Sequence, residues 1–168
     1  ECPYPIVPLL SGVRGLDAVV ARGVPLPAFD VHASLMSLPG LLGTTLDSIP
    51  AAVPYIPVEP RTITGRVSAP EGTVKVGFVW AGNPLHGRDF HRSAPLASFR
   101  ALAGVEGTRF FSLQKGDAPE RALAERPIEG VVDLAADLVD FRDTAAVLQA
   151  LDLVITVDTS VAHLAGAL

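Results

Sequence analysis

Three short polar runs carry the side chains in this sequence best suited to chemistry. The first holds Gly82, Asn83, His86, Arg88, Asp89, His91, Arg92 and Ser93, the second Gln114, Lys115 and Gly116, the third Asp158, Thr159, Ser160 and His163. Side-chain amides and guanidinium groups, an ammonium, and a cluster of N-cap residues opening a helix are all fit to hold a diphosphate. Charge-assisted hydrogen bonds are short and strong, and free N–H groups at a helix start attract anions. His163 falls one turn inside that helix, on the side of Ser160, where an imidazole donates to the same phosphate, more strongly when protonated. Asp158 is itself an anion. Its expected use is to cap the turn and leave the N–H groups of Ser160 and Val161 to the ligand. The competing reading is that these polar loops only solvate a sheet edge.

Other chemistries find no support in the motifs. The chain has no G-x-G-x-x-G, no Walker lysine loop, no G-x-S-x-G elbow and no H-E-x-x-H. His86, Asp89 and His91 match no established ligand spacing, and Arg88 and Arg92 beside them would repel a cation, so no metal site is expected.

Each polar run directly follows an apolar stretch of strand character: Val74 to Trp80, Arg109 to Leu113, and Leu153 to Val157. Short apolar runs of this kind suit strands buried on both faces. Helical patterns alternate with them: Pro95 to Leu102, Pro119 to Glu125, Asp143 as a cap to Leu151, and Val161 to Leu168. Val131 to Asp133 adds a short strand. Ala162, Ala165, Gly166 and Ala167 would let the last helix pack close to the sheet. Four β/α repeats with short links predict a parallel sheet with right-handed crossovers. The strand carboxyl ends then share one edge, where the three polar runs can surround one ligand.

The first third of the chain is less regular. Residues 5–10 predict a short helix with Pro8 in its first turn, ended by Gly12 and Gly15. Asp17 to Val20 and Phe29 to Ala33 read as short strands, and Leu35 to Leu42 as a helix broken at Pro39 and Gly40. Pro50, Pro54, Pro57 and Pro60 favour an extended segment. The expected division is residues 1–57 as the end of one Rossmann-like domain, 58–72 as a Pro-rich linker, and 73–168 as the front half of a second. The start at Glu1-Cys2-Pro3 and the stop at Leu168 inside a predicted helix give the expectation of a fragment with both domains incomplete.

Composition narrows the class. Of 168 residues 49% are hydrophobic and 18% charged, which excludes a disordered chain or a coiled coil. A net charge of −5 argues against a nucleic-acid surface, since phosphate neutralisation needs clustered Lys and Arg. Lys75 and Lys115 are the only lysines, which makes the placement of Lys115 at a strand end notable. Cys2 is the sole cysteine, so a reducing, cytoplasmic setting is the expectation. No apolar run approaches the ~20 residues of a membrane span, and no signal peptide is visible.

The order of motifs resembles a known family. Trp80-Ala81-Gly82-Asn83-Pro84, then Arg92-Ser93, Ser112-Leu113-Gln114-Lys115-Gly116, and Asp158-Thr159 followed by His163-Leu164-Ala165-Gly166 are similar to bacterial heptosyltransferase-like glycosyltransferases. The nearest likeness is to the glycosyltransferase-like region behind tetratricopeptide repeats, and the Glu1-Cys2-Pro3 start and Phe29 to Pro39 resemble the second half of its N-terminal domain. The resemblance implies a GT-B arrangement, two Rossmann-like domains about a cleft, with a nucleotide-sugar donor in the C-terminal one. It implies that Asp158, Thr159, Ser160 and His163 hold the diphosphate, that Lys115 and Arg92 supply positive charge, and that Gly82, Asn83, His86, Gln114 and Gly116 belong to the same donor site. No cofactor beyond the donor is implied, the acceptor (protein or glycan) is open, and the catalytic base lies outside this sequence. A non-catalytic nucleotide-sugar-binding or scaffold module of a repeat protein is the alternative.

Overall fold

Proline sets the local structure of the N-terminal segment. In the computed structural model, which describes residues 1–168, helix α1 (Val7–Leu10) and helix α2 (Leu38–Leu41) each carry a proline in the first turn, Pro8 and Pro39. There the missing N–H would have no helical partner anyway. Each follows a 3₁₀ turn, Tyr4–Ile6 and Leu35–Ser37. No strand forms before Val74, and the only β pairing is an isolated parallel bridge between Cys2 and Ala21. The strands expected at Asp17 to Val20 and Phe29 to Ala33 are therefore absent. Alternation makes a strand only when a partner takes its hydrogen bonds and buries one face. Val31 is 86% exposed, and Pro25 and Pro27 remove ladder donors from the segment between the two runs.

From Val74 onward strands and helices alternate: β1 (Val74–Val79), α3 (Asp89–Arg92), α4 (Ala97–Arg100), β2 (Thr108–Ser112), α5 (Asp117–Glu125), β3 (Val131–Asp133), α6 (Phe141–Ala150), β4 (Leu153–Thr156) and α7 (Ser160–Ala165). The four strands form one sheet in the order β3-β2-β1-β4, every pair parallel. Phe78 of β1 lies beside Ser112 of β2 and Ile155 of β4. The architecture is α/β with a Rossmann-like parallel sheet. The chain runs outward from β1 to β3 and then returns to place β4 on the other side of β1. That reversal makes the β1–β4 boundary a topological switch point, where open α/β sheets bind ligands.

The two-residue period of β1 and β2 fills both faces. Val76, Phe78 and Trp80 join Phe99 of α4, Phe110 and Leu123 of α5 in one cluster. Val79 and Phe111 point the other way, into a cluster with Val147 and Leu148 of α6 and Val161 and Leu164 of α7. Phe78 stacks on Phe99 with ring centroids 5.3 Å apart. Burying each of these phenylalanines stabilises the fold by about 2–3 kcal/mol before entropy is counted.

Part of the Pro-rich stretch belongs to this core. Ile63 and Val67, around a 3₁₀ turn at Thr62–Arg66, are buried against α6 together with Leu9 of α1. Arg61 Nε donates to Asp143 Oδ1 at 2.8 Å, and Arg66 pairs with Asp137. Residues 61–67 are thus clamped to the sheet unit. The α6 N-cap is Asp140, not Asp143 as the sequence suggested. Asp140 accepts from Arg142 N at 2.7 Å, while Asp143 Oδ2 accepts from the Asp140 and Val139 amides. An Asp-x-x-Asp run offers two capping groups, and the structure uses both as a reciprocal box. No helix is long and apolar enough to cross a membrane.

Candidate functional site

A cavity of about 930 Å³ opens at the carboxyl edge of the sheet, bounded by the loops that follow all four strands. Its wall takes Ala81 to Pro84 from the β1 loop, Gln114 to Pro119 from β2, Leu138 to Phe141 from β3, and Asp158 to Val161 from β4. Arg92, Thr144 and His163 complete the polar part, and Pro5 enters from the N-terminal segment.

Gln114 forms the floor and is fully engaged by the chain. Its Oε1 accepts from the amides of Trp80 (3.0 Å) and Ala81 (2.9 Å), and its Nε2 donates to the carbonyls of Ala81 and Lys115. The side chain is 2% exposed. A buried amide with all of these groups paired is a brace between the ends of β1 and β2, not a free ligand contact.

The β1 loop then builds a seat for Arg92. Gly82 N donates to Ser93 Oγ at 2.9 Å, and Ser93 Oγ donates to Asp89 Oδ2 at 2.9 Å. Asp89 Oδ1 stands 3.8 Å from Arg92 Nη2. A Cβ on Gly82 would meet Asp89 Oδ1 at 2.5 Å and Arg92 Nη2 at 2.7 Å, so only glycine lets the carboxylate and guanidinium lie against the strand end. Asp89 Oδ1 and Arg92 Nε are buried without a hydrogen-bond partner. Arg92 is thus held from behind by a partly satisfied carboxylate, with its Nη1 turned to the cavity and Asp158 Oδ2 3.6 Å away.

Asp158 does not cap the turn. The α7 N-cap is Thr159, which has no side-chain bond to the helix amides; its hydroxyl sits 3.1 Å from Thr156 Oγ1 instead. The carboxylate of Asp158 reaches across to Arg92 and to His163 Nε2, the latter at 3.7 Å. The amides of Asp158, Thr159, Ser160 and Val161 donate to no group in the chain. With six residues α7 is too short for a full end charge, so the turn offers these N–H groups as individual donors.

On the β2 side, Gly116 adopts φ 113° and ψ 142°, a conformation that favours glycine, and its N–H donates to Glu120 Oε1 at 2.8 Å. Lys115 Nζ donates to the Ala135 carbonyl at 2.7 Å and lies 3.7 Å from Glu120 Oε1. The β3 side brings Asp140, whose Oδ2 accepts from both Nη2 (2.7 Å) and Nε (3.1 Å) of Arg142. That side-chain hydrogen bond holds the Asp140 carboxyl below its ordinary value and raises Arg142 above its own.

The structure brings Gly82, Asn83, Arg92, Gln114, Lys115, Gly116, Asp158, Thr159, Ser160 and His163 to this one cavity. His86 is not in the wall. Its Nδ1 accepts from the Arg88 amide at 3.3 Å in an exposed turn, because the loop folds back on itself before α3. No three His, Cys, Asp or Glu side chains are grouped to ligate a metal. Sequence reading missed the β3 contribution, Leu138 to Phe141 with Thr144. The signal was present in the two aspartates Asp140 and Asp143 of the capping box. Comparison with protein-family models, curated proteins and solved structures finds no match for the chain.

Proposed function

We propose that this chain is the donor-binding part of a heptosyltransferase-like glycosyltransferase of GT-B type, related to those attached to tetratricopeptide repeats. On this reading residues 73–168 hold a nucleotide-diphosphate sugar, and residues 1–57 come from the domain that faces it. The carrying observation is convergence: Arg92, Lys115, His163 and four unpaired amides of the β4 turn line one switch-point cavity. Leu138, Val139 and Phe141 give the same cavity an apolar side against which a nucleoside can lie.

In sugar transfer the bond between the anomeric carbon and the diphosphate breaks, and a bond to an acceptor oxygen forms. The acceptor proton passes to a base, and negative charge grows on the leaving diphosphate. Fixed cations and amide dipoles at that position stabilise the charge as it develops. The acceptor, protein or glycan, and the base are not assigned to residues of this chain.

The second reading, a binding or scaffold module without catalysis, draws on two of the three carboxylates that line the cavity. Asp140 is paired with Arg142 and Asp158 lies between Arg92 and His163, so both face basic side chains of the chain itself. Calorimetric titration with UDP, GDP and ADP beside the matching nucleosides tests the shared premise. Tighter binding of at least one diphosphate than of its nucleoside supports a diphosphate site; equal binding of both contradicts it.

A further inference from the structure

Arg92 and His163, at the β1–β4 end of the cavity, both face one carboxylate that belongs to the chain. Asp158 Oδ2 is 3.6 Å from Arg92 Nη1, and Asp158 Oδ1 is 3.7 Å from His163 Nε2. Lys115 is turned to the other side, onto the Ala135 carbonyl and Glu120. We propose that Asp158 is an internal competitor for the phosphate position, a carboxylate that occupies the Arg92–His163 site and must yield when a ligand phosphate enters.

Three features carry this. First, Asp158 makes no bond to its own turn that would tie it down, and its side chain is 65% exposed, so it is free to swing into solvent. Second, Arg92 is the more enclosed member of the pair, its side chain 24% exposed against 65% for Asp158. The guanidinium is flanked by Asp89 and seated over Gly82, where even a methyl group would collide with it. Third, the amides of Asp158, Thr159, Ser160 and Val161 remain unpaired beside it, so an incoming phosphate gains donors that the carboxylate does not use.

Ion pairs as exposed as these are weak, which suits a contact meant to be exchanged. A phosphate group brings more charge and more acceptor oxygens than the carboxylate it replaces. Asp158 therefore lowers affinity for every anion and keeps the site closed to weakly charged ones. Loss of its charge should tighten binding. This inference rests on the diphosphate reading above, and its failure is separable from failure of that reading.

The test is calorimetric titration of the 168-residue chain with inorganic pyrophosphate at low ionic strength, for the parent, Asp158→Asn, Glu106→Gln, His163→Ala and the Asp158→Asn/His163→Ala double variant. Glu106 is exposed and precedes β2, at the opposite edge of the sheet, so its variant controls for net charge alone. Asp158→Asn is expected to bind about three- to tenfold tighter than the parent, with Glu106→Gln unchanged. The same substitution made on His163→Ala should give a smaller gain, since one of the two side chains that Asp158 faces is gone. Thermal unfolding checks each fold, and Asp158→Ser replaces Asp158→Asn if the latter does not fold. A parent that binds while Asp158→Asn binds equally or more weakly overturns the competitor and leaves the cavity as a phosphate site. An equal gain in Glu106→Gln also overturns it, by assigning the effect to overall charge. No binding by any of the five overturns the phosphate site and the competitor together.

Discussion

Residues 35–46 and residues 110–134 are both rich in apolar side chains, and the structure treats them oppositely. Leu35, Met36, Leu41, Leu42 and Leu46 are each at least 69% exposed, whereas Phe111, Leu113 and Leu134 are 2% exposed or less. Hydrophobic content does not distinguish them. The difference is that Phe110 and Phe111 sit in a strand with partners on both sides, so successive side chains enter opposite cores. The leucines of the earlier segment lie around Pro39, Gly40 and Gly43, in helical pieces of only three and four residues. Apolar surface stabilises a fold when a repeating backbone delivers it to one place.

The largest expected effect breaks or confirms that contrast directly. Phe111→Ala should lower the unfolding free energy by about 3–5 kcal/mol, while Leu46→Ala should stay within about 0.5 kcal/mol. Urea unfolding followed by the fluorescence of Trp80, which is buried in the sheet unit, reads both. Similar costs for the two variants would mean that the N-terminal segment is packed more tightly than its exposure indicates.

The joint between the regions comes next. Asp143 is buried and takes bonds from Arg61 and from two backbone amides at the start of α6. Asp143→Ala should cost about 2–3 kcal/mol through the lost pair and the lost capping box. It should also speed proteolytic cleavage near residues 61–67 more than cleavage within α6. Unchanged cleavage there would show that Ile63 and Val67 hold the segment without the ion pair.

Lys115→Ala should weaken nucleoside-diphosphate binding by about 1.5 kcal/mol, the low end for a charged hydrogen bond. The reason for the low end is that Nζ must leave the Ala135 carbonyl to reach a ligand. Calorimetry on the parent and the variant measures it, and an unchanged dissociation constant removes Lys115 from the site.

Much of this was legible in the residues. The strands from Val74 onward, their parallel arrangement and the meeting of three polar runs at one edge follow from buried-strand patterns joined by short helical links. What escaped depends on contacts distant in sequence. Nothing near Asp158 in the chain announces that Arg92 will stand 3.6 Å away, so a capping role looked natural for it. Gln114 could be placed at a strand end but not known to be used up by Trp80 and Ala81. The alternation at Phe29 to Ala33 was real but found no neighbour to pair with, and a strand pattern without a partner is only a pattern.

The smallest effect concerns acid. Arg142 holds Asp140 below the ordinary aspartate value of 3.8, so the folded state binds this proton less readily than the unfolded chain. The stability it contributes is fully present above that value and is lost as pH falls toward the lower folded one. Thermal unfolding between neutral pH and strong acid should show Asp140→Asn with a shallower loss below about pH 4 than the parent. Parallel curves would mean that the Asp140–Arg142 pair is too exposed to couple to folding.

The measurement closest to the central claim, that the β1–β4 switch point is a phosphate site, is an amide chemical-shift titration with pyrophosphate. The expected result is saturable shifts at Gly82, Arg92, Lys115, Gly116 and Asp158 to His163, with residues 1–57 unmoved apart from Pro5's neighbours at the cavity rim. Saturable shifts confined to other parts of the chain, or none at millimolar pyrophosphate, would contradict it.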